Sequence, residues 1–541
     1  MIARARVARN FLADTRECRE IRATMMRSNR CRRSLGVLAL AMALLQGCRS
    51  LPSLASRPGS AVLAETSDTR LGRAVAADVA AHPGLSGIVT LEGGRESFAA
   101  RTLLADAADR TLDVQYYIWH DDLAGRLLLG SMLRAADRGV RVRLLLDDNN
   151  SSASLDRLLA ALGTHPRIEV RLFNPFLLRG WHLAGYLTDF SRLNRRMHNK
   201  AFTVDNQVTL IGGRNVGNEY FGASDDVTFI DLDALAVGPV VNAVSRDFDR
   251  YWASASAYPV GSLLSAPGPD ALAEVSRQLN ALRGDPTAQA YAQAGSRQPV
   301  VRALLEHRLA LEWAPVRVIS DDPAKALDAA HPEAGFLPQL EKVLGAPRRE
   351  LELVSPYFVP TAAGTRYLAD LTRRGVKVSV LTNSLEATDV IAVHAGYAKW
   401  RKQLLRAGVA LYEAKRELDS PRARARHRLG SAPSSLHAKT VAIDRERIFI
   451  GSFNFDPRSA LLNTEIGFVI DSPTLAASLA DGFAGDIREN TYEVRLDPHG
   501  LLIWIEHKGD LEIVHHHEPG AGFWRKLGAR FLSWLPIESL L

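Results

Sequence analysis

His198-Asn199-Lys200-Ala201-Phe202-Thr203-Val204-Asp205 and His437-Ala438-Lys439-Thr440-Val441-Ala442-Ile443-Asp444 spell one pattern, H-x-K-x4-D, twice, 239 residues apart. Each copy runs through six more residues to a glycine and then an asparagine, in Gly212-Gly213-Arg214-Asn215 and in Gly451-Ser452-Phe453-Asn454. A single copy arises easily by chance, whereas two with the same downstream residues mark an internal duplication. On an extended strand, residues two apart project from the same face. His198 with Lys200, and His437 with Lys439, therefore point together.

The duplication extends outward from these motifs. Residues 111–119 read as a strand, 124–138 as a helix and 140–146, after Gly139, as a second strand. The same order returns in 350–354, 364–374 and, after Gly375, 376–381. Strand, helix and strand joined by short glycine turns predict a βαβ unit with a parallel pair. Downstream, 207–211 matches 447–450, and 231–239 matches 465–473, each of the latter opening on an acid and ending on proline. Five extra residues near 217–226 in the first half are expected in a loop over the site. The expected fold is α/β: two pseudo-symmetric lobes, each a mixed β-sheet flanked by helices, with the active site at the lobe interface. The corresponding division is a signal peptide with an N-terminal extension (1–47), a tether (48–84), a first lobe (85–256), a helical linker (257–312), a second lobe (313–490) and a C-terminal hairpin with an amphipathic helix (491–541).

The 541 residues carry a net charge of +7, but residues 1–47 hold ten arginines against three acids and account for all of it. The remainder balances at 57 basic and 57 acidic residues, which argues against a general polyanion-binding surface and against nucleic acid as a partner. The arginines lead into an apolar run, 35–45, too short to span a bilayer comfortably, and then Leu45-Gln46-Gly47-Cys48. That arrangement is similar to a bacterial lipoprotein signal, with Cys48 as the lipidated residue and Met25 or Met26 as a natural start. It places the chain in the bacterial cell envelope, anchored to a membrane. Only Cys18, Cys31 and Cys48 occur, so neither a disulfide framework nor a cysteine metal site is expected.

The paired motifs suit chemistry at a phosphodiester, whose negative charge repels nucleophiles. Lys200 and Lys439 offset that charge, and Asn215 and Asn454 add neutral hydrogen bonds. One neutral histidine attacks phosphorus, and the other supplies and removes protons. Lysines carry the electrostatic role, so no metal and no cofactor is expected. The matched acids Asp231 and Glu465 are candidates to orient the imidazoles. Asp205 and Asp444 are placed with the catalytic set, although turn fixing accounts for them as well. Nothing in the residues says which histidine is the nucleophile.

These motifs resemble the phospholipase D superfamily, and the likeness continues in 112–119, 144–150, 189–200, 381–384, 393–397 and 451–459, where it is to the bacterial cardiolipin synthases. The resemblance implies a phosphatidyltransferase that moves a phosphatidyl group between phospholipids through a phosphohistidine. Phosphatidylglycerol is the implied substrate, phosphatidylethanolamine a second candidate, and the first-half histidine, His198, the nucleophile. Gly213 departs from the usual serine of the motif and makes the halves unequal. A hydrolytic phospholipase D, a nuclease and a lipid-binding lipoprotein without activity are the alternatives. Arg192, Arg195 and Arg196 are candidates for lipid headgroups, and His394 for the site lining. The apolar stretch 175–186 and the aromatic C-terminal stretch 523–535 either pack on the core or lie against a membrane surface.

Overall fold

Periodicity changes sharply along the chain, and the computed structural model follows it. The structure describes residues 51–541 except 56, 225–226, 297–299, 332, 334 and 417–433. The signal segment, Cys48 and the basic stretch 422–428 lie outside the described residues. Strands of the first half are β1 (Ser86–Leu91), β2 (Thr111–Tyr116), β3 (Arg141–Asp147), β4 (Ile168–Phe173), β5 (Ala201–Val204), β6 (Val208–Gly212), β7 (Thr228–Ile230), β8 (Asp233–Val237), β9 (Ala257–Pro259) and β10 (Glu312–Ala314). Those of the second are β11 (Val316–Ser320), β12 (Glu350–Val354), β13 (Lys377–Asn383), β14 (Ala410–Ala414), β15 (Ser434–Leu436), β16 (Thr440–Ile443), β17 (Arg447–Gly451), β18 (Ile466–Ile470), β19 (Thr491–Leu496), β20 (Leu502–Lys508) and β21 (Leu511–His515).

Two large mixed sheets result. One runs β10-β1-β8-β6-β5-β2-β3-β4-β9, the other β11-β18-β17-β16-β12-β13-β14-β19-β20-β21. Seven strands of each, from β1 to β4 and from β11 to β14 in sheet order, correspond one to one. The parallel pair expected from the βαβ reading is β2 with β3, and β12 with β13. The crossover helices Leu123–Asp137 and Thr361–Arg373 lie between them. Each motif strand, β5 or β16, sits antiparallel beside that unit, with Gln115 opposite Ala201 and Val354 opposite Thr440.

Strands such as β2, β6 and β8 are buried along their whole length, because both faces of the sheet are covered. Outer faces pack on helices. Inner faces meet across the lobes in one apolar seam that joins Ile211, Ala234 and Ala236 of the first half to Ile448, Ile450 and Phe468 of the second. Residues 54–541 accordingly form a single unit.

Three expected boundaries move. The stretch assigned to a tether is, from Leu54 on, built into the first lobe. Arg57 donates to the Ser254 and Ala257 carbonyls, Arg143 donates to the Ser60 carbonyl, and the helix Arg70–Ala81 buries Leu71 and Val75. A segment rich in proline and serine lacks periodicity, so its docking through backbone carbonyls leaves no pattern to read. The expected linker is also part of the first lobe: its helix Ala271–Gly284 buries Val275 and Leu279, and its ends supply β9 and β10. The C-terminal hairpin (β19 and β20) is present, but with β21 it extends the second sheet and forms no separate domain.

Candidate active site

The site is assembled from loops that cross between the lobes. The His198 amide donates to the Thr464 carbonyl at 2.9 Å, and the His437 amide to the Ile230 carbonyl at 2.7 Å. Thr464 precedes Glu465 and Ile230 precedes Asp231, so each motif histidine is tied beside the acid of the opposite half. A short parallel ladder, β15 with β7, and the bridge between Met197 and Thr464 repeat this exchange on the two sides. The side chains complete the crossing. His198 Nδ1 lies 2.8 Å from a Glu465 oxygen, and His437 Nδ1 lies 2.5 Å from an Asp231 oxygen. Lys200 Nζ donates to the His198 carbonyl at 2.6 Å, and Lys439 Nζ to that of His437. All six groups are buried.

Electrostatics break the symmetry of the repeat. Burial pushes the His198 pKa well below the usual histidine value, and the charges of Lys200, Lys439 and His437 add to the effect. His437 is lowered too, by burial and Lys439, but Asp231 opposes the fall. Burial alone would raise Asp231; His437 and Lys439 outweigh it, and the carboxyl lies below its usual range. Glu465, in contrast, is pushed up to about 7 by burial. Lys439 is lowered to about 8 by burial, against the pull of Asp231 and Glu465.

The difference between Gly213 and Ser452 has a geometric cause. Ser452 donates to Glu465 and accepts from the Ile466 amide at 3.0 Å. In the first half the shorter Asp231 accepts the Leu232 amide directly at 2.8 Å, and a Cβ on Gly213 would collide with that carboxylate. Glycine with aspartate, and serine with glutamate, are two solutions for one space.

Asp205 and Asp444 do not belong with the catalytic groups, which corrects their placement. Each lies beyond the far end of its motif strand. Asp205 accepts the amides of Asp109, Arg110 and Thr111, and Asp444 those of Arg348, Arg349 and Glu350. They fasten the turn that enters β2 and β12. The asparagines also diverge. Asn215 donates to the Tyr220 hydroxyl and accepts the Ile118 amide, whereas the buried Asn454 Oδ1 has no partner among the described residues. The headgroup candidates are spent internally: Arg192 on Asp189 and Asn174, Arg195 on Asp328, and Arg196 on Asp147. His394 joins a buried cluster with Arg401 and Glu518 rather than the site. Part of the expected loop over the site is the short helix Asn218–Phe221, which brings Tyr220 against His437, ring centroids 5.2 Å apart.

Several contributors had no signal in the sequence. Tyr117 stands edge-on to His198 at 5.0 Å, and Phe229 lies 5.0 Å from His437. Asp321 accepts the Glu465 amide and pairs with Lys325, fixing the orienting acid from behind. Among the described residues, His120, Asp122 and Glu219 are grouped closely enough for a metal ion, but Asp122 is engaged by two backbone amides and His120 faces Glu219.

Residues 102–252 and 340–487 match the family model described as "Cardiolipin synthase, PLD-like domain". The chain belongs to this family. It is 48% identical to cardiolipin synthase C of Escherichia coli K12 over 474 residues, covering 87% of this chain and all of that protein. It is 30% identical to an uncharacterised protein of Helicobacter pylori over 506 residues, 93% of this chain and 99% of the relative. In structure it is similar to phosphatidylserine synthase of Haemophilus influenzae, with a TM-score of 0.54 at 14% identity, covering 87% of this chain and all of the other. The chain is thus a phospholipase D-type phosphatidyltransferase and a membrane-associated bacterial protein. Among its described residues no helix is long and apolar enough to cross a membrane.

Proposed function

We propose that the protein makes cardiolipin by transferring a phosphatidyl group from one phospholipid to the alcohol of another, with phosphatidylglycerol as a substrate and phosphatidylethanolamine as a second one. The crossed pairing of His198 with Glu465 and of His437 with Asp231 carries the reading. Each carboxylate occupies Nδ1 and leaves Nε2 as the reacting nitrogen. Burial and the neighbouring lysines hold His198 neutral, which suits it to attack phosphorus. The ionised Asp231 supports a charged His437, which suits that residue to protonate the departing alkoxide. The phosphorus–nitrogen bond forms as the phosphorus–oxygen bond breaks. His437 then takes the proton of the incoming hydroxyl, which displaces His198. Lys200 and Lys439 stabilise the phosphoryl oxygens throughout.

Purified protein given labelled phosphatidylglycerol, with and without phosphatidylethanolamine, is expected to form cardiolipin. Phosphatidic acid as the sole product would make it a hydrolase. Anchoring through a lipid on Cys48 belongs to the same proposal, and palmitate labelling that is lost in Cys48→Ser tests it.

A further inference from the structure

The helix Phe523–Leu532 is built the wrong way round for a protein surface in water. Positions 523, 524, 527 and 531 fall within about a third of its circumference at 3.6 residues per turn. That stripe holds Phe523, Trp524, Leu527 and Phe531, and it faces outward, with Trp524 79% and Phe531 59% exposed. The face turned to the body is small and polar. Ala529 packs with Leu385 and Ala521, and Arg525 donates to the carbonyls of Leu385 and Thr388. A helix on a soluble surface buries its apolar stripe and exposes its charges. This one is clamped in the opposite sense.

A second segment repeats the arrangement. Trp181, Leu183 and Leu187 are 77%, 76% and 81% exposed. They are held outward by a charged underside, in which Arg179 pairs with both Asp148 and Asp156. Both segments border the site. Tyr186 donates to Asn149, and Asn149 donates to Tyr117, which touches His198. On the other side, the Leu385 carbonyl held by Arg525 lies two residues from Asn383, whose side chain exchanges two hydrogen bonds with the Leu436 backbone beside His437. Arg458 spans the gap, donating to the Asn194 side chain at 2.7 Å and to the Leu540 carbonyl.

We infer that these two faces are a single membrane-docking surface that seats the mouth of the site on the headgroup layer of a bilayer. The occupant follows from charge and composition. The C-terminal helix carries Arg525, Lys526 and Arg530 and no acid, matching anionic headgroups, and tryptophans beside leucines suit the boundary between headgroup and acyl chain. Exposed apolar patches of this kind mark interaction sites. The inference rests on the phospholipid substrate proposed above, and it adds the route by which that substrate arrives without leaving its bilayer.

The full-length protein, bound to phosphatidylglycerol-containing vesicles with brominated acyl chains, tests it. Of eight tryptophans, Trp181, Trp524 and Trp534 are the strongly exposed ones. Replacing those three with phenylalanine should remove most of the bromine quenching, and quenching that persists would overturn the surface. Trp524→Ser with Phe531→Ser, and Leu183→Ser with Leu187→Ser, should lower turnover of vesicle substrate about ten-fold or more. Turnover of a short-chain phospholipid dispersed as monomers should stay at the parent rate. Equal turnover of vesicles by parent and variants sinks the inference, as does a parent dimer that the serine variants dissociate in light scattering, because the partner would then be a second copy. If the parent itself leaves the dispersed phospholipid untouched, the proposed function fails instead, and the quenching result still stands by itself.

Discussion

His198 and His437 occupy equivalent positions of a repeat, yet their surroundings assign them different work. His198→Ala and His437→Ala should each lower turnover by about 10^2–10^4-fold. Only protein that keeps His198 should retain labelled phosphate after denaturation at alkaline pH, where phosphohistidine survives, and it should lose that label on acid treatment. The pH profile of kcat/KM separates the roles further. Attack needs a neutral His198, and burial holds its pKa well below the ordinary value near ~6.5. Acidification should therefore leave the rate intact through that value and reduce it only below. Asp231 raises the pKa of His437. Asp231→Asn removes that support, so the proton on the general acid is lost at lower pH and the alkaline limb should move downward. A limb that stays in place counts against the assignment. Gly213→Ser should lose activity without unfolding the protein, since the new side chain meets the Asp231 carboxylate. Paired with Asp231→Glu, it reproduces the second-half solution and should recover part of the loss.

The motif strands are fastened at both ends by different means. At the catalytic end, β5 and β16 begin beside amide bonds that cross the lobes. At the other end, Asp205 and Asp444 each hold three amides of the turn entering the neighbouring strand. Removal of one carboxylate leaves those donors without their acceptor, at a cost of about 2–4 kcal/mol. Asp205→Ala should lower the denaturant midpoint accordingly, while turnover per folded molecule stays within about three-fold. A large loss of kcat at unchanged stability would return Asp205 to the chemistry. The repeat was legible here because spacing is a chain property, and the aspartate's task was not, because the amides it binds lie some 95 residues away.

The whole molecule depends on the seam between the lobes. Ile211, Ile450 and Phe468 are fully buried there, and the same two sheets deliver the histidines and the acids that orient them. Phe468→Ala should cost about 3–5 kcal/mol, and heating should melt both halves in one transition, since the inner face of each sheet is buried only against the other lobe. Two separate transitions by calorimetry would show that the lobes fold independently. The tether and linker boundaries were misplaced at this scale. Pro58 and Ser60 dock through backbone carbonyls to Arg171 and Arg143, which leaves no periodic trace in the residues that dock.

From sequence alone came the duplication, the α/β class with its parallel βαβ units, the paired histidines and lysines, and the acids that accompany them. These are local patterns and repeat spacings, which the order of residues carries directly. Tertiary structure alone decided that each acid serves the histidine of the other lobe, that burial lowers both imidazoles while Asp231 opposes the fall at His437, and that the C-terminal helix turns its aromatic face outward. Those outcomes depend on which distant segments share a low-dielectric space, and a linear pattern that reads equally well in either half holds no record of that choice.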